Sequence, residues 1–189
     1  MKRIAIFASG GGSNAESIIQ YFSSIKELEV SLILSNRTKA GVLDRAENHQ
    51  IPSATFSRDE FYGSETVLNI LKSNKIDWII LAGFLWLIPE YLIDAYPNKI
   101  LNIHPALLPR YGGKGMYGMN VHKAVKSNGD KISGMTIHYV NKVYDEGKQV
   151  FQASIQIEPE DSPEDIAAKV LKLEHKYYPK IIHHLVLGK

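Results

Sequence analysis

Two side chains that can stabilise a developing negative charge lie close together in the segment Asn102-Ile103-His104-Pro105. On a β-strand, residues two apart point to the same face, so the amide of Asn102 and the imidazole of His104 would be neighbours. Such a pair can hold a carbonyl oxygen that becomes an oxyanion during acyl transfer. An isolated histidine on a strand usually has a structural role, and the adjacent asparagine together with the nearby prolines favours the chemical interpretation.

A cluster of glycines, Gly10-Gly11-Gly12, provides a second candidate site. It follows an apolar run and precedes a helical pattern, which is the place of an anion-binding loop. Glycines let the backbone approach an anion closely, and a helix N-terminus supplies free N–H groups and a favourable dipole. The segment 9–15 therefore predicts an anion site.

Two other interpretations of this segment stay open. The spacing Gly10-x-Gly12-x-x-Ala15 satisfies the dinucleotide-binding fingerprint and would favour an NAD(P)-dependent oxidoreductase. The second predicted strand ends in Ser35-Asn36-Arg37 without the acidic residue that binds a ribose, although Arg37 could accommodate a 2′-phosphate. Alternatively, Ser13-Asn14-Ala15-Glu16 is only a capping box at the start of a helix.

Short apolar runs alternate with helical patterns along the first 105 residues. The apolar runs predict strands at 4–8, 30–34, 54–56, 78–82 and 99–103, and the spacing of apolar residues predicts helices near 18–25, 40–49, 67–71 and 89–95. Apolar strands separated by helices are typical of a parallel sheet with helices on both faces. We therefore predict an α/β, Rossmann-like fold, in which ligands bind beyond the carboxyl ends of the strands.

The second half of the chain has a different pattern. Residues 105–119 are a 15-residue stretch with two prolines, four glycines and no helical period, which indicates a functional loop. A helix is predicted at 121–126, and two strands at 132–140 and 149–157 predict an antiparallel hairpin added to the sheet. Ser162 and Pro163 mark the start of a final helix that is expected to end or kink at Pro179.

These elements predict one domain over residues 1–189. Residues 1–105 would form its phosphate-binding half. Residues 106–189 would hold the substrate loop, the hairpin and the C-terminal helix.

The composition limits the classes of function. Lys and Arg total 22 and Asp and Glu total 20, so the formal net charge of +2 argues against a nucleic-acid-binding protein. The absence of cysteine excludes disulfides, thiol nucleophiles and cysteine-ligated zinc, and the seven histidines show no metal-ligand spacing. No apolar stretch approaches the roughly 20 residues that span a bilayer. We therefore expect a cytoplasmic protein that binds neither nucleic acid nor membrane and holds no metal.

Several motifs together resemble the folate-dependent formyltransferase family over essentially the whole chain. They are Asn102-Ile103-His104-Pro105 with Leu107-Leu108-Pro109, Gly12-Ser13-Asn14, Ala82-Gly83-Phe84 and Asp145-x-Gly147. The resemblance implies an enzyme that transfers a formyl group from its co-substrate, 10-formyltetrahydrofolate, to the amine of glycinamide ribonucleotide in de novo purine biosynthesis. It implies small-molecule partners and leaves a homodimer open.

The resemblance also implies roles for the matching residues. Asn102 would bind the formyl oxygen, His104 would stabilise the tetrahedral intermediate, and Asp145 would raise the pKa of His104 and help to move the amine proton through water. The substrate phosphate would bind to Gly12, Ser13 and Asn14, and the glycinamide part would contact Glu174. The folate would meet Arg58 through its glutamate tail, and its pocket would be lined by Leu85, Trp86, Leu87, Ile88, Asn102, Asn141, Val143 and Tyr144.

Some of these assignments have alternatives. From the residues alone, Asp145 could be a solvated loop aspartate and Glu174 an exposed helix carboxylate. Trp86 stands where members of the family often have an arginine, so we expect folate recognition to differ there. A formyltetrahydrofolate deformylase is the alternative activity within the family, although such hydrolases tend to have a second histidine where this chain has Pro105.

Overall fold

A seven-stranded sheet forms the centre of the protein in the computed structural model, which describes residues 1–188. In chain order the strands are β1 (Lys2–Phe7), β2 (Leu28–Ser35), β3 (Ser53–Thr55), β4 (Trp78–Leu81), β5 (Ile100–His104), β6 (Ile132–Tyr139) and β7 (Gln149–Gln156). In space they follow the order β3-β2-β1-β4-β5-β6-β7. The first five in this row are parallel, and β6 and β7 are antiparallel additions. The predicted α/β fold with an antiparallel hairpin in its C-terminal half is confirmed.

Helices cover both faces of the sheet, each over its own hydrophobic cluster. Within residues 1–188 they are α1 (Ser13–Phe22), α2 (Gly41–Asn48), α3 (Arg58–Tyr62), α4 (Thr66–Ser73), α5 (Glu90–Ala95), α6 (Met119–Ser127) and α7 (Pro163–Leu187). In β1, Ile4 and Ile6 pack in the cluster that includes α1, α2, α6 and α7, whereas Ala5 and Phe7 pack in the cluster that includes α3, α4 and α5. Because both faces are covered, the central strand β4 is buried and apolar at every position, and β1 is so from Ile4 to Phe7. None of the helices in the described range combines the length and apolarity that a membrane crossing requires.

Helix α7 is longer than the sequence predicts. It begins after Ser162, whose side chain forms a capping box with Asp165, and it continues through Pro179 to Leu187. The prediction that it ends at Pro179 is therefore wrong. A proline at this position cannot donate a hydrogen bond to the carbonyl of His175, and the Ser17 hydroxyl of α1 donates to that carbonyl instead, over 3.0 Å.

The strand order changes direction at β1, because β2 and β3 lie on one side of it and β4 to β7 on the other. The loops that follow β1 and β4 meet at this point. The backbone N–H of Ser9 donates to the carbonyl of Gly83 over 3.0 Å, and the Ser9 hydroxyl accepts from the N–H of Leu85 over 3.1 Å. The crevice beside such a switch point is where open α/β sheets bind their ligands.

Tyr178 anchors α7 to the sheet directly beneath this crevice. Its side chain is fully buried, and its hydroxyl lies 2.9 Å from the carbonyl of Leu81 in β4 and 3.2 Å from that of Leu101 in β5. Residues four apart on a helix lie on one face, so this anchor also directs Glu174 towards the carboxyl ends of β4 and β5.

We expect Tyr178→Phe to lower the free energy of unfolding by about 1–3 kcal/mol, because the substitution leaves two buried carbonyl groups without this donor. Urea denaturation of the purified protein measures the change. The matched control is Tyr177→Phe, which removes the same hydroxyl from the neighbouring, only partly buried tyrosine. Equal losses in the two variants would contradict the anchoring role.

Candidate active site

A cavity of about 470 Å³ opens at the carboxyl ends of β4 and β5. Its volume lies within the range of sites for small organic ligands. Asn14 and Glu174 line one part of it, and Asn102, His104 and Asp145 line another. The structure thus brings residues from four separate segments of the chain into one site.

Asn102 and His104 lie on the same face of β5, as their spacing predicts, and β6 adds a third polar residue beside them. In the antiparallel pairing of the two strands, Asn102 lies opposite His138 and His104 lies opposite Thr136. The Asn102 amide nitrogen lies 3.1 Å from Nε2 of His138, and Nδ1 of His138 lies 2.9 Å from the carbonyl of Tyr139. A carbonyl only accepts, so Nδ1 carries the proton and Nε2 accepts from Asn102. His138 therefore fixes the orientation of the Asn102 amide, and the second N–H of this amide remains free for a ligand.

Sequence reasoning did not identify His138 as a site residue. The signal for it is weak, because Thr136 and His138 form only a short polar alternation within a strand. The register of β5 against β6, which joins residues 36 apart, is what places His138 beside Asn102.

Asp145 lies between the two histidines. Its carboxylate oxygens are 3.5 Å from Nδ1 of His104 and 3.6 Å from Nε2 of His138, and its side chain is only 10% exposed. The N–H of Gly113 donates to it over 2.9 Å. An added Cβ at Gly147, two residues further on, would clash with the carbonyl of Tyr139, so only glycine fits where this loop returns to β6. The interpretation of Asp145 as a solvated loop residue is wrong.

Burial and charge shift the pKa values of this group in opposite directions. Burial alone would raise the pKa of Asp145, but the proximity of His138 and His104 and the N–H of Gly113 together lower it. Burial lowers the pKa of His104, and this effect outweighs Asp145 and the Tyr111 carbonyl, which both raise it. Asp145 thus acts on the pKa of His104 in the predicted direction, and burial outweighs its effect. At neutral pH the site holds an ionised carboxylate beside a neutral imidazole, a pair that can take up one proton.

The glycine loop leads into α1 without a side-chain cap. The N-cap residue is Gly12, whose φ of 71° lies in the left-handed region, and an added Cβ there would lie 2.7 Å from Cγ2 of Val42. Glu16 does not close a capping box, since its carboxylate pairs with Arg45 over 3.0 Å and His49 over 2.8 Å. The capping-box interpretation is wrong, and the N–H groups of the first turn of α1 have no side-chain cap.

Glu174 and Asn14 form the contact between α7 and α1 at the cavity. The Asn14 side-chain amide donates to the Glu174 carboxylate over 2.6 Å. Glu174 is only 7% exposed, so its interpretation as an exposed helix carboxylate is wrong, and burial raises its pKa. Of the predicted phosphate-binding residues, Asn14 lines the cavity, whereas Gly12, the N-cap of α1, and Ser13, its first residue, are not part of the lining.

The residues predicted to bind folate divide into a lining and a rim. The cavity is lined by Leu85, Trp86, Leu87, Ile88, Asn141, Val143 and Tyr144. Arg58 is not part of the lining. It is exposed on α3, with its guanidinium 5.0 Å from the ring centre of Tyr62 and 5.7 Å from that of Trp86. Arg58 therefore lies at the mouth, against the ring of Trp86.

His122 is a further polar residue of the cavity wall. It comes from α6, is buried, and its Nδ1 has no hydrogen-bond partner among residues 1–188. Burial lowers its pKa, and the proximity of His104 adds to this effect. Across the same described range, no three His, Asp or Glu side chains are grouped so that they could hold a metal ion.

Comparisons with known proteins agree on one family. A family model described as formyl transferase matches residues 2–182. The chain is 42% identical to the chloroplastic phosphoribosylglycinamide formyltransferase of Arabidopsis thaliana over 96% of this chain, and 35% identical to the phosphoribosylglycinamide formyltransferase of Bacillus subtilis over 98% of this chain and 95% of that protein. The crystal structure of phosphoribosylglycinamide formyltransferase from Anaplasma phagocytophilum matches with a TM-score of 0.90 and 33% identity, covering 100% of this chain and 88% of that one.

The share of the relative's own length that this chain covers is smaller for the two plant proteins. The chain spans only 64% of the Arabidopsis protein and 61% of the chloroplastic protein of Vigna unguiculata.

We expect Glu174→Gln to increase the free energy of unfolding near neutral pH. Burial raises the pKa of the Glu174 carboxyl above the ordinary value of 4.5, so the folded state binds this proton more tightly than the unfolded state does. The stability of the wild type therefore falls as the pH rises from the unfolded-state pKa to the folded-state pKa. Glutamine has no charge and keeps an acceptor for Asn14. Urea denaturation should show the gain at neutral pH and a smaller gain below the ordinary carboxyl pKa. The control is Glu160→Gln at an exposed position, and a pH-independent difference at Glu174 would contradict the assignment.

Proposed function

Because the chain belongs to the formyl transferase family, we propose that it transfers a formyl group from 10-formyltetrahydrofolate to the amine of glycinamide ribonucleotide. The family membership confirms the resemblance seen in the sequence motifs. The observation that supports the proposal is that Asn102, His104 and Asp145 line one cavity together with Asn14 and Glu174.

Asn102 supplies the group that binds the formyl oxygen. When the substrate amine attacks the formyl carbon, a C–N bond forms and the carbonyl oxygen becomes an oxyanion. The free N–H of the Asn102 amide donates to this oxygen, and its orientation is held beforehand by the hydrogen bond to His138. A donor fixed in advance stabilises the charge without reorganisation during the reaction.

His104 and Asp145 handle the proton. Nε2 of His104 lies 2.7 Å from the Tyr111 carbonyl and carries the ring proton, which leaves Nδ1 free beside Asp145. The proton that the attacking amine loses passes to Nδ1, directly or through a water molecule, and the ionised Asp145 stabilises the imidazolium that forms. The imidazolium then returns the proton to the folate nitrogen, while the oxyanion re-forms the carbonyl and the bond between the formyl carbon and that nitrogen breaks, which releases tetrahydrofolate and the formylated amine.

The two substrates approach from different sides of the cavity. The phosphate of glycinamide ribonucleotide binds at Gly12, Ser13 and Asn14, where the uncapped start of α1 favours an anion, and Glu174 contacts the rest of that substrate. The folate lies between Leu85–Ile88 and Asn141–Tyr144, with its glutamate tail towards Arg58. None of these steps requires a metal ion. Both partners are small molecules, and a homodimer remains a prediction.

The purified protein should release tetrahydrofolate from 10-formyltetrahydrofolate only when glycinamide ribonucleotide is present, because the amine is the acceptor. The absorbance change of the folate follows the reaction. Release of formate without the amine would identify a deformylase instead. No reaction, together with binding of NADPH, would replace the proposal by the oxidoreductase interpretation.

We expect His104→Ala and Asp145→Asn each to lower kcat by at least about 100-fold, which is typical for the loss of a proton-transfer or charge-stabilising group. Steady-state kinetics in the same assay measure the effect. His184→Ala and Asp94→Asn, at exposed positions away from the cavity, are the matched controls. Turnover near the wild-type rate in both site variants would refute these roles.

A further inference from the structure

The segment 110–113 lies against the reacting pair, and within it only Gly113 lines the cavity. The carbonyl of Tyr111 accepts a hydrogen bond from Nε2 of His104 over 2.7 Å, and the N–H of Gly113 donates to Asp145 over 2.9 Å. Tyr111 itself does not line the cavity. The backbone of this segment therefore determines where His104 can point without contacting a ligand.

Asp130, in the turn between α6 and β6, holds the side chain of Tyr111. One carboxylate oxygen accepts from the Tyr111 hydroxyl over 2.7 Å, and the other accepts from Arg110 over 2.9 Å and from Asn128 over 2.8 Å. The Arg110 guanidinium also lies 5.1 Å from the centre of the Tyr111 ring. The Asp130 side chain is only 12% exposed, so these contacts are partly shielded from solvent and are stronger than those of a fully exposed ion pair.

The backbone of Tyr111 needs such an anchor. Its φ of 56° lies in the left-handed region, which a bulky residue rarely adopts and which costs of order 1–3 kcal/mol. This conformation aims the carbonyl at His104. The hydroxyl contact with Asp130 offsets part of the cost, so the position of the carbonyl depends on a carboxylate that lies outside the site.

We propose that Asp130 is a positioning residue, which acts through Tyr111 to hold Nε2 of His104 in its protonated form and Nδ1 free towards Asp145. The catalytic consequence rests on the proposed function, whereas the orientation of the ring does not. In a neutral imidazole, the hydrogen bond at one nitrogen determines which nitrogen carries the proton. Without the Tyr111 carbonyl, the ring is free to place its proton on Nδ1 and donate to Asp145. In that tautomer Nδ1 cannot accept the proton of the amine.

The kinetic test uses Asp130→Ala and Tyr111→Phe, which each remove one side of the contact. We expect kcat to fall about tenfold, within the range that a small misplacement of a reacting group causes, and KM for both substrates to change less than about twofold, because neither residue binds them. Asp130→Asn should recover much of the loss, since its side-chain oxygen still accepts from Tyr111.

The matched control is Asp161→Ala. Asp161 is also a buried loop carboxylate, and it accepts hydrogen bonds from Lys169 and from the N–H of Glu158. It lies just before α7, however, and not beside Tyr111. Its loss should lower stability without changing kcat. If Asp130→Ala behaves in the same way, with lower stability and an unchanged kcat, the positioning role is refuted.

NMR of the imidazole nitrogens in the unliganded protein gives a readout that does not depend on turnover. His104 should be the Nε2–H tautomer in the wild type and should shift towards Nδ1–H in Asp130→Ala and Tyr111→Phe. Its pKa should also decrease in both variants, because the cation loses an acceptor. The other titratable groups around the ring, namely Asp145, His138 and His122, are unchanged by these substitutions.

The two hypotheses fail in different ways. Absence of formyl transfer by the wild type would overturn the proposed function, and the NMR comparison would still test the positioning role. An active wild type with unchanged kcat and unchanged His104 resonances in both variants would overturn the positioning role alone.

Discussion

Burying an ionised carboxylate costs several kcal/mol unless donors surround it, and the site is organised around meeting this demand at Asp145. The backbone N–H of Gly113, in the loop that precedes α6, donates to it, and the imidazoles of His104 at the end of β5 and His138 in β6 lie 3.5 Å and 3.6 Å away. Three parts of the chain thus meet at one carboxylate. The carboxylate is thus both the partner of the reacting imidazole and the reason why the surrounding segments converge.

The parallel strands and the antiparallel strands of the sheet position different residues of the site. The parallel strands bring the glycine loop after β1 and the polar end of β5 to the same edge, since parallel strands all point their carboxyl ends in one direction. The antiparallel strand β6 then places His138 opposite Asn102. Helix α7 crosses beneath this edge, where Tyr178 anchors it and Glu174 reaches Asn14.

Several features of the site reduce the stability of the fold. Glu174 is buried with one hydrogen-bond donor and has a raised pKa, Tyr111 has a left-handed backbone, and Nδ1 of His122 has no partner within residues 1–188. Groups of this kind are retained in proteins where a ligand or a reaction needs them. Glu174 and His122 line the cavity itself, and Tyr111 contacts His104 beside it.

The sequence by itself determined the features that depend on local pattern. Apolar runs and helical spacing predict the α/β fold, the spacing of two predicts that Asn102 and His104 share a face, and the glycines predict the loop before α1. Helix α3 was not predicted, because five residues are too few to show a helical period, although Ser57 and Glu60 form a capping box that signals its start. Only the tertiary structure decided that His138 holds Asn102, that Asp145 meets His104 from 41 positions away, and that α7 continues past Pro179 because Ser17 takes over the unpaired carbonyl. These contacts join residues far apart in the chain, and their geometry follows from strand register and helix packing, which no local pattern of residues contains.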